Sequence, residues 1–518
     1  MATPWSFLLF LPFTSALVLI PIVTFICVIL STTVALKRHI AYLGSSATLL
    51  VSMYLVMVFE PQPTGFHFLE HAHFTGIHYC VGIDGLNILF IPLTALLSCL
   101  LLLYDSLARP THYPHFIACV LGYETILMGA FTALNLLQFW FWTALELVPL
   151  LLLSLHTGTG QNRRWVLSLL LQYWGSGLLM TLAGFLFLAF GLVGSDHELT
   201  FDWQTLKENN AYLHDETLIF ILLFFGFSIR MPLFPFHGWL PVLSEQGTVA
   251  STGIFLIGIK LGVYAVLRFI LPLLPGVAEN WAYFVISLGI ISLFYGALLA
   301  LIQINVRRLI AFAALSHSGM LIVGIFSFNE FSLTGSLFLS VFYGLASAGL
   351  LIAIGLIYQR TQTSFLPRLG GLFDTNSALG VLFFIAAFST LIIPGTPSYE
   401  AAYLLISGII DEYGWTIALL LLLGNLFTTA VLLRAFQQLF IATPRRFTAS
   451  NKHINHCAAH THKKSIIAAI ICVVLLTSGY YNKPWLNLLN HDISALFRSF
   501  PIHSSGHSPP LPAIKASQ

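Results

Sequence analysis

Apolar runs of about twenty residues recur along the whole chain, separated by short polar stretches. Each run is long enough to cross a bilayer as a helix. The pattern predicts an all-α polytopic membrane protein with about fourteen transmembrane helices. They lie near 6–33, 40–59, 86–104, 114–134, 136–156, 165–193, 216–240, 249–274, 281–303, 308–326, 333–358, 377–408, 415–441 and 464–480. Pro232 and Pro235 interrupt the seventh helix, and Pro394 and Pro397 the twelfth. The tail after about 483 is polar and rich in Pro and Ser, so its end is expected to be disordered.

The two broken helices lie five apart. Broken helices at matching places point to internal repeats. Helices four to eight (111–275) and nine to thirteen (276–441) are expected to form two inverted five-helix repeats. Residues 1–110 then carry helices one to three. Residues 442–518 carry a cytoplasmic loop, the fourteenth helix and an outward polar tail. Basic residues fit this count. Lys37, Arg38, Arg163, Arg164, Arg307 and Arg308 follow odd-numbered helices, whereas the loops after even-numbered helices hold mostly acids such as Glu70, Asp215 and Glu330. Positive charge stays on the cytoplasmic side, which places both termini outward.

Composition sharpens the picture. The chain has 518 residues, 57% hydrophobic and only 8% charged. Soluble domains carry roughly 25% charged residues, so a water-soluble protein is excluded. A net charge of +2 with scattered Lys and Arg argues against nucleic-acid binding. Six cysteines show no CxxC spacing and give no iron–sulfur, zinc or disulfide framework. The start, MATPWSFLLF, lacks a basic signal-peptide region, so the first apolar run is expected to stay as a helix.

Charges inside the apolar runs are the candidate chemistry: Glu124, Glu146, Arg230, Lys260, His317, Glu400 and Arg434. A cation at a membrane-helix centre costs at least about 2.5–3.5 kcal/mol, so it rarely sits there without a task. A proton path needs titratable side chains strung through the interior, and a facing acid–base pair makes a switch. The alternative is a set of structural ion pairs. Pro232 and Pro235 remove backbone donors, and the freed carbonyls need protein or water partners. Two histidine clusters, His67, His71, His73 and His78 with Glu70, and His453, His456, His460 and His462 with Cys457, match no zinc spacing and read as solvated loops.

Several motifs are specific in combination: GIDGL (82–86), LELVP (145–149), PLFPFHGWLP (232–241), KLGVYAVLR (260–268), RRLIAFAALSHSGMLIVGIF (307–326) and YQRTQTSFLPRLGGL (358–372). In this order the chain resembles the antiporter-like membrane subunits of respiratory and photosynthetic complex I. It looks closest to the M-type, or chain 4, subunit. The match runs from residue 82 to about 440. The resemblance implies a proton-translocating subunit of a quinone-reducing NAD(P)H or ferredoxin dehydrogenase complex. It implies no redox chemistry and no cofactor in this chain, with other membrane subunits and the lipid bilayer as its partners. By resemblance, Lys260, His317 and Glu124 match proton-path positions.

Against the same pattern, Arg230 stands where the family has Lys, and Ala144 where it has a Glu. Glu146 remains two positions on. Tyr343 stands for a His, Ala402 for an ionisable residue with Glu400 two positions earlier, and the loop after WLP reads VLSE. Arg keeps its proton in proteins, so Arg230 is a fixed charge and not a switch. It is expected to hold Glu146 ionised, or to cap the carbonyls freed at Pro232. These departures resemble the divergent D-type subunits of cyanobacterial photosynthetic complexes coupled to CO2 uptake. That form implies a thylakoid or plasma membrane, plastoquinone as acceptor and a CO2-hydrating partner. Two alternatives stand beside it: a scaffold that docks that partner without pumping, and a subunit of a multisubunit cation/proton antiporter.

Overall fold

The structure is a computed structural model that describes residues 12–60, 65–74, 77–107, 115–157, 162–193, 199–210, 215–247, 258–375, 377–443, 461–498 and 500. The chain is helical almost throughout. Helices α1 (Phe13–Leu30) and α2 (Val34–Val58) open it, followed by a two-stranded hairpin, β1 (His67–Phe74) and β2 (Ile77–Ile83). The first half continues with α3 (Phe90–Leu107), α4 (Phe116–Thr132), α5 (Leu136–Leu145), α6 (Leu147–Thr157), α7 (Arg163–Val193) and the short α8 (Trp203–Glu208). Then come α9 (Glu216–Arg230), α10 (Trp239–Gln246) and α11 (258–273). The second half holds α12 (Ala282–Ile302), α13 (Val306–Ile325), α14 (Glu330–Thr361), α15 (Ser377–Thr390), α16 (Pro397–Phe436), α17 (Thr461–Tyr480) and α18 (Lys483–Phe497).

Local sequence sets the helix ends. Asn135, Asn305 and Asn329 cap α5, α13 and α14, each side-chain oxygen accepting backbone N–H groups of the first turn. Helix α1 has no side-chain cap of its own. The Glu70 carboxylate on β1 accepts its free N–H groups from Thr14 (2.8 Å) and Ser15 (3.0 Å). Glu70 is therefore committed to helix capping. The first histidine group belongs to the hairpin and not to a loop, because His67 to Phe74 pair antiparallel with Ile77 to Ile83. His67 lies half-buried against Phe59, with ring centroids 4.7 Å apart. Residues 453, 456, 457 and 460 of the second group fall outside the described residues.

The core lies along α13 and α14, both buried along almost their whole length. Helix α14 packs against α3, α13, α15, α16, α17 and α18. Small residues permit the closest approaches. A Cβ on Gly296 of α12 would come 2.5 Å from the Ser316 backbone nitrogen of α13, and one on Gly335 of α14 would fall on the backbone of α16.

Among the described residues, eight helices are long and apolar enough to cross a membrane, and α17 with α18 forms one further pair bent by 64°. Helices α3, α4 and α15 are apolar but shorter. Helix α16 has one non-helical residue, Gly414 (φ 71°, ψ −174°), at the Asp411–Glu412 loop expected between helices twelve and thirteen. The break before it falls at 391–396, where Pro394 precedes Gly395 with φ +89°. The polar tail also differs from expectation. Residues 483–497 are helical, because Leu489, Ile493 and Leu496 recur on one face and are buried there.

Candidate functional site: a buried ion pair beside a stacked cation

The seventh apolar segment supplies the first half of the site. Helix α9 ends at Arg230 because Pro232 cannot donate to the Ser228 carbonyl. That carbonyl instead accepts from Leu233 N at 3.0 Å, and the next one, Ile229 O, accepts from the Trp239 indole at 2.9 Å. Phe234 N donates to the Ser292 hydroxyl at 2.9 Å. Neighbouring protein thus satisfies the two carbonyls freed at Pro232. Arg230 does not cap the freed carbonyls, because they already have partners.

Arg230 reaches across to α5–α6 instead. It forms an ion pair with Glu146; Arg230 is 7% exposed and Glu146 not at all. Glu146 stands where the helix is locally irregular, because Pro149 leaves the Leu145 carbonyl without its usual donor. The Tyr123 hydroxyl of α4 donates to the same carboxylate. The Trp174 ring lies 5.1 Å from the guanidinium and is braced edge-on by Trp239 at 5.3 Å. Gly258 completes the pocket: a Cβ there would fall on both the Tyr123 hydroxyl and the Glu146 carboxylate.

Gly258 is half a turn before Lys260 on α11, so the ion pair borders the turn that carries the second cation. Lys260 is 2% exposed. Its ammonium lies 4.7 Å from the ring centre of Tyr343 on α14. His317 of α13 stacks on that ring with centroids 3.4 Å apart and planes 9° from parallel. Lys260 and His317 are therefore brought together, but through Tyr343. Further along α11, a π-helical stretch (Val266–Ile270) presents Arg268, which bonds Asp84 at 2.6 Å and the Tyr264 hydroxyl at 3.0 Å.

The remaining predicted residues stand apart. Glu124 is fully buried on α4, and neither carboxylate oxygen has a hydrogen-bond partner among the described residues. Glu400 is half-buried in the first turn of α16 and bonds none of these groups. Arg434 donates to the Leu301 carbonyl and so ties α16 to the end of α12. Tyr123, Trp174 and the Asp84–Arg268 pair were not identifiable as interior partners from periodicity alone. Asp84, inside GIDGL, and Arg268, closing KLGVYAVLR, carried a motif signal; Tyr123 and Trp174 did not.

These features define a class: a polytopic helical membrane protein with a buried ion pair and a further buried cation beside a broken helix, a combination typical of ion-translocating proteins. The chain belongs to the NADH:quinone oxidoreductase/Mrp antiporter transmembrane family, whose pattern matches residues 133–428. The NADH-quinone oxidoreductase subunit M of Rickettsia conorii is 26% identical over 504 residues, covering 95% of this chain and 99% of its own length. A chain of respiratory complex I from Thermus thermophilus, solved with bound NADH, is similar with a TM-score of 0.80 at 26% identity, over 94% of this chain and 99% of that one. A chain of the Mrp complex from Dietzia sp. DQ12-45-1b has the same TM-score, 0.80, at 19% identity over 93% and 97%, a likeness of fold alone.

Proposed function

We propose that this chain is the M-type, antiporter-like subunit of a quinone-reducing dehydrogenase complex and carries protons through the membrane. The observation that carries the reading is the set of buried ionisable groups brought together from α5–α6, α9, α11 and α13: Glu146 with Arg230, Lys260 and His317. Similarity to subunit M relatives over nearly the whole chain supports the setting. Protons pass by Lys260 and His317 toward Glu400, with Arg230 and Glu146 as the fixed pair that sets the field at Lys260. The two five-helix units meet at this row, both termini face outward, and electron transfer takes place in other subunits of the complex, with no cofactor held here.

Replacing Lys260 by Ala in the assembled complex, sealed in vesicles, tests the assignment. Quinone-coupled proton uptake is expected to fall severalfold at unchanged electron flow. Unchanged uptake rejects Lys260 as a carrier.

Arg230 favours a second reading. An Arg cannot release its proton, so the Glu146–Arg230 pair holds charge without switching. That suits a specialised complex, such as the CO2-uptake form of thylakoids working with plastoquinone and a CO2-hydrating subunit, in which this chain serves partly as a dock. The subunits that co-purify separate the two settings.

A further inference from the structure

His317 is buried, and its Nε2 has no hydrogen-bond partner among the described residues. What fixes the imidazole plane is the parallel stack on Tyr343. The imidazole lies on the phenol ring at 3.4 Å, and the Lys260 ammonium lies over the same ring, 4.7 Å from its centre. In a parallel stack the imidazole nitrogens point along the ring plane and not across it. Both groups thus rest on one ring, and the imidazole nitrogens are not aimed along the stacking axis; direct transfer requires an aligned nitrogen at about 2.6–3.2 Å.

We propose that Tyr343 is a positioning residue that gates proton transfer between Lys260 and His317. It holds the ammonium on its π face and the imidazole in a non-transferring orientation until the ring moves. The proposal rests on the proton-carrying reading above. In the step itself an N–H bond of the ammonium breaks, an N–H bond forms at an imidazole nitrogen, and the positive charge travels with the proton. The ring face stabilises the ammonium over the neutral amine, because only the cation is drawn to the aromatic quadrupole. The other ionisable groups around Lys260 are His317 from α13 and, past Gly258, Glu146, Tyr123 and Arg230 from α5–α6, α4 and α9.

The test compares Tyr343→Phe, Tyr343→Leu and Tyr343→Met in the whole complex, sealed in vesicles, with proton uptake per electron measured across pH. Tyr343→Phe keeps the ring and is expected to retain the wild-type profile. Tyr343→Leu loses the π face, so the ammonium gives up its proton at lower pH. The alkaline limb of the profile then moves down by about one pH unit. Tyr343→Met gives the same readout with a more adaptable side chain if the Leu variant assembles poorly. Wild-type profiles for both aliphatic variants overturn the proposal, and so does a Phe variant shifted as far as the Leu variant. Lys260→Ala separates the two levels. If it abolishes pumping while Tyr343→Leu does nothing, the gate alone fails. If Lys260→Ala also pumps normally, the route fails and the gate with it.

Discussion

At the scale of single residues, Glu146 and Arg230 carry the largest energetic stake. Both are buried, and their charges are offset by each other, by the Tyr123 hydroxyl and by the Trp174 ring. Removing one partner leaves the other charged and unpaired in a low-dielectric interior. Glu146→Gln is therefore expected to destabilise the subunit by about 3–5 kcal/mol, measured as thermal unfolding of the purified complex in detergent. Replacing both members with apolar residues of similar volume is expected to recover most of that loss, since the desolvation cost disappears along with the attraction. A single-variant loss of under about 1 kcal/mol would mean that water reaches the pair and screens it. Arg230 itself was readable as a fixed charge from the sequence, because no neighbour can make a guanidinium a proton donor at ordinary pH. Its choice between Glu146 and the freed carbonyls was not readable. That depended on where the Trp239 indole points, nine residues further along a chain that reverses at two prolines.

At the scale of elements, the apolar periodicity located helices well and their interruptions better. Pro232 and Pro394 each removed a donor, and the helices break at those places. Periodicity served less well where a segment folds against protein and not lipid. Residues 67–83 looked like a histidine-rich loop because alternating His and apolar residues carry no membrane signal, yet they pair as a hairpin that caps α1 through Glu70. Its titration follows from His67. Burial pushes that imidazole below its ordinary 6.5, with Asp84 and Glu60 pulling weakly the other way. The folded hairpin thus favours the neutral ring. Its contribution to stability is complete above pH 6.5 and declines as the pH falls through the lowered folded value. Amide exchange across 67–83, corrected for intrinsic rates, is expected to lose protection on acidification in the wild type. His67→Phe is expected to remove that dependence; an equal loss in the variant would place the sensitive group elsewhere.

At the scale of the whole molecule, the last helix joins parts that are distant in sequence. On α18, Asp492 accepts from the Gly85 N–H at 2.5 Å and Ser494 donates to Glu330 at the start of α14. Residue 85 adjoins Asp84, whose partner Arg268 lies two turns beyond Lys260 on α11. One amphipathic helix thus clamps the entry to α3, the head of α14 and, through Asp84, the C-terminal end of the Lys260 helix. Sequence hid this because Pro and Ser dominate the residues beyond 500, while the helical stripe of Leu489, Ile493 and Leu496 spans only two turns. The clamp needs a glycine at 85. A Cβ there would come 2.7 Å from both the Asp492 carboxylate and the Leu488 carbonyl, and the second is backbone that cannot rotate away. Gly85→Ala is therefore expected to lift α18, seen as faster amide exchange and easier proteolysis across 483–497. Exchange in α12 and α13 should stay at wild-type rates. Faster exchange in the 258–273 helix as well would show that the clamp reaches the Lys260 helix through Asp84 and Arg268. Unchanged exchange there would confine it to the ends of α3 and α14.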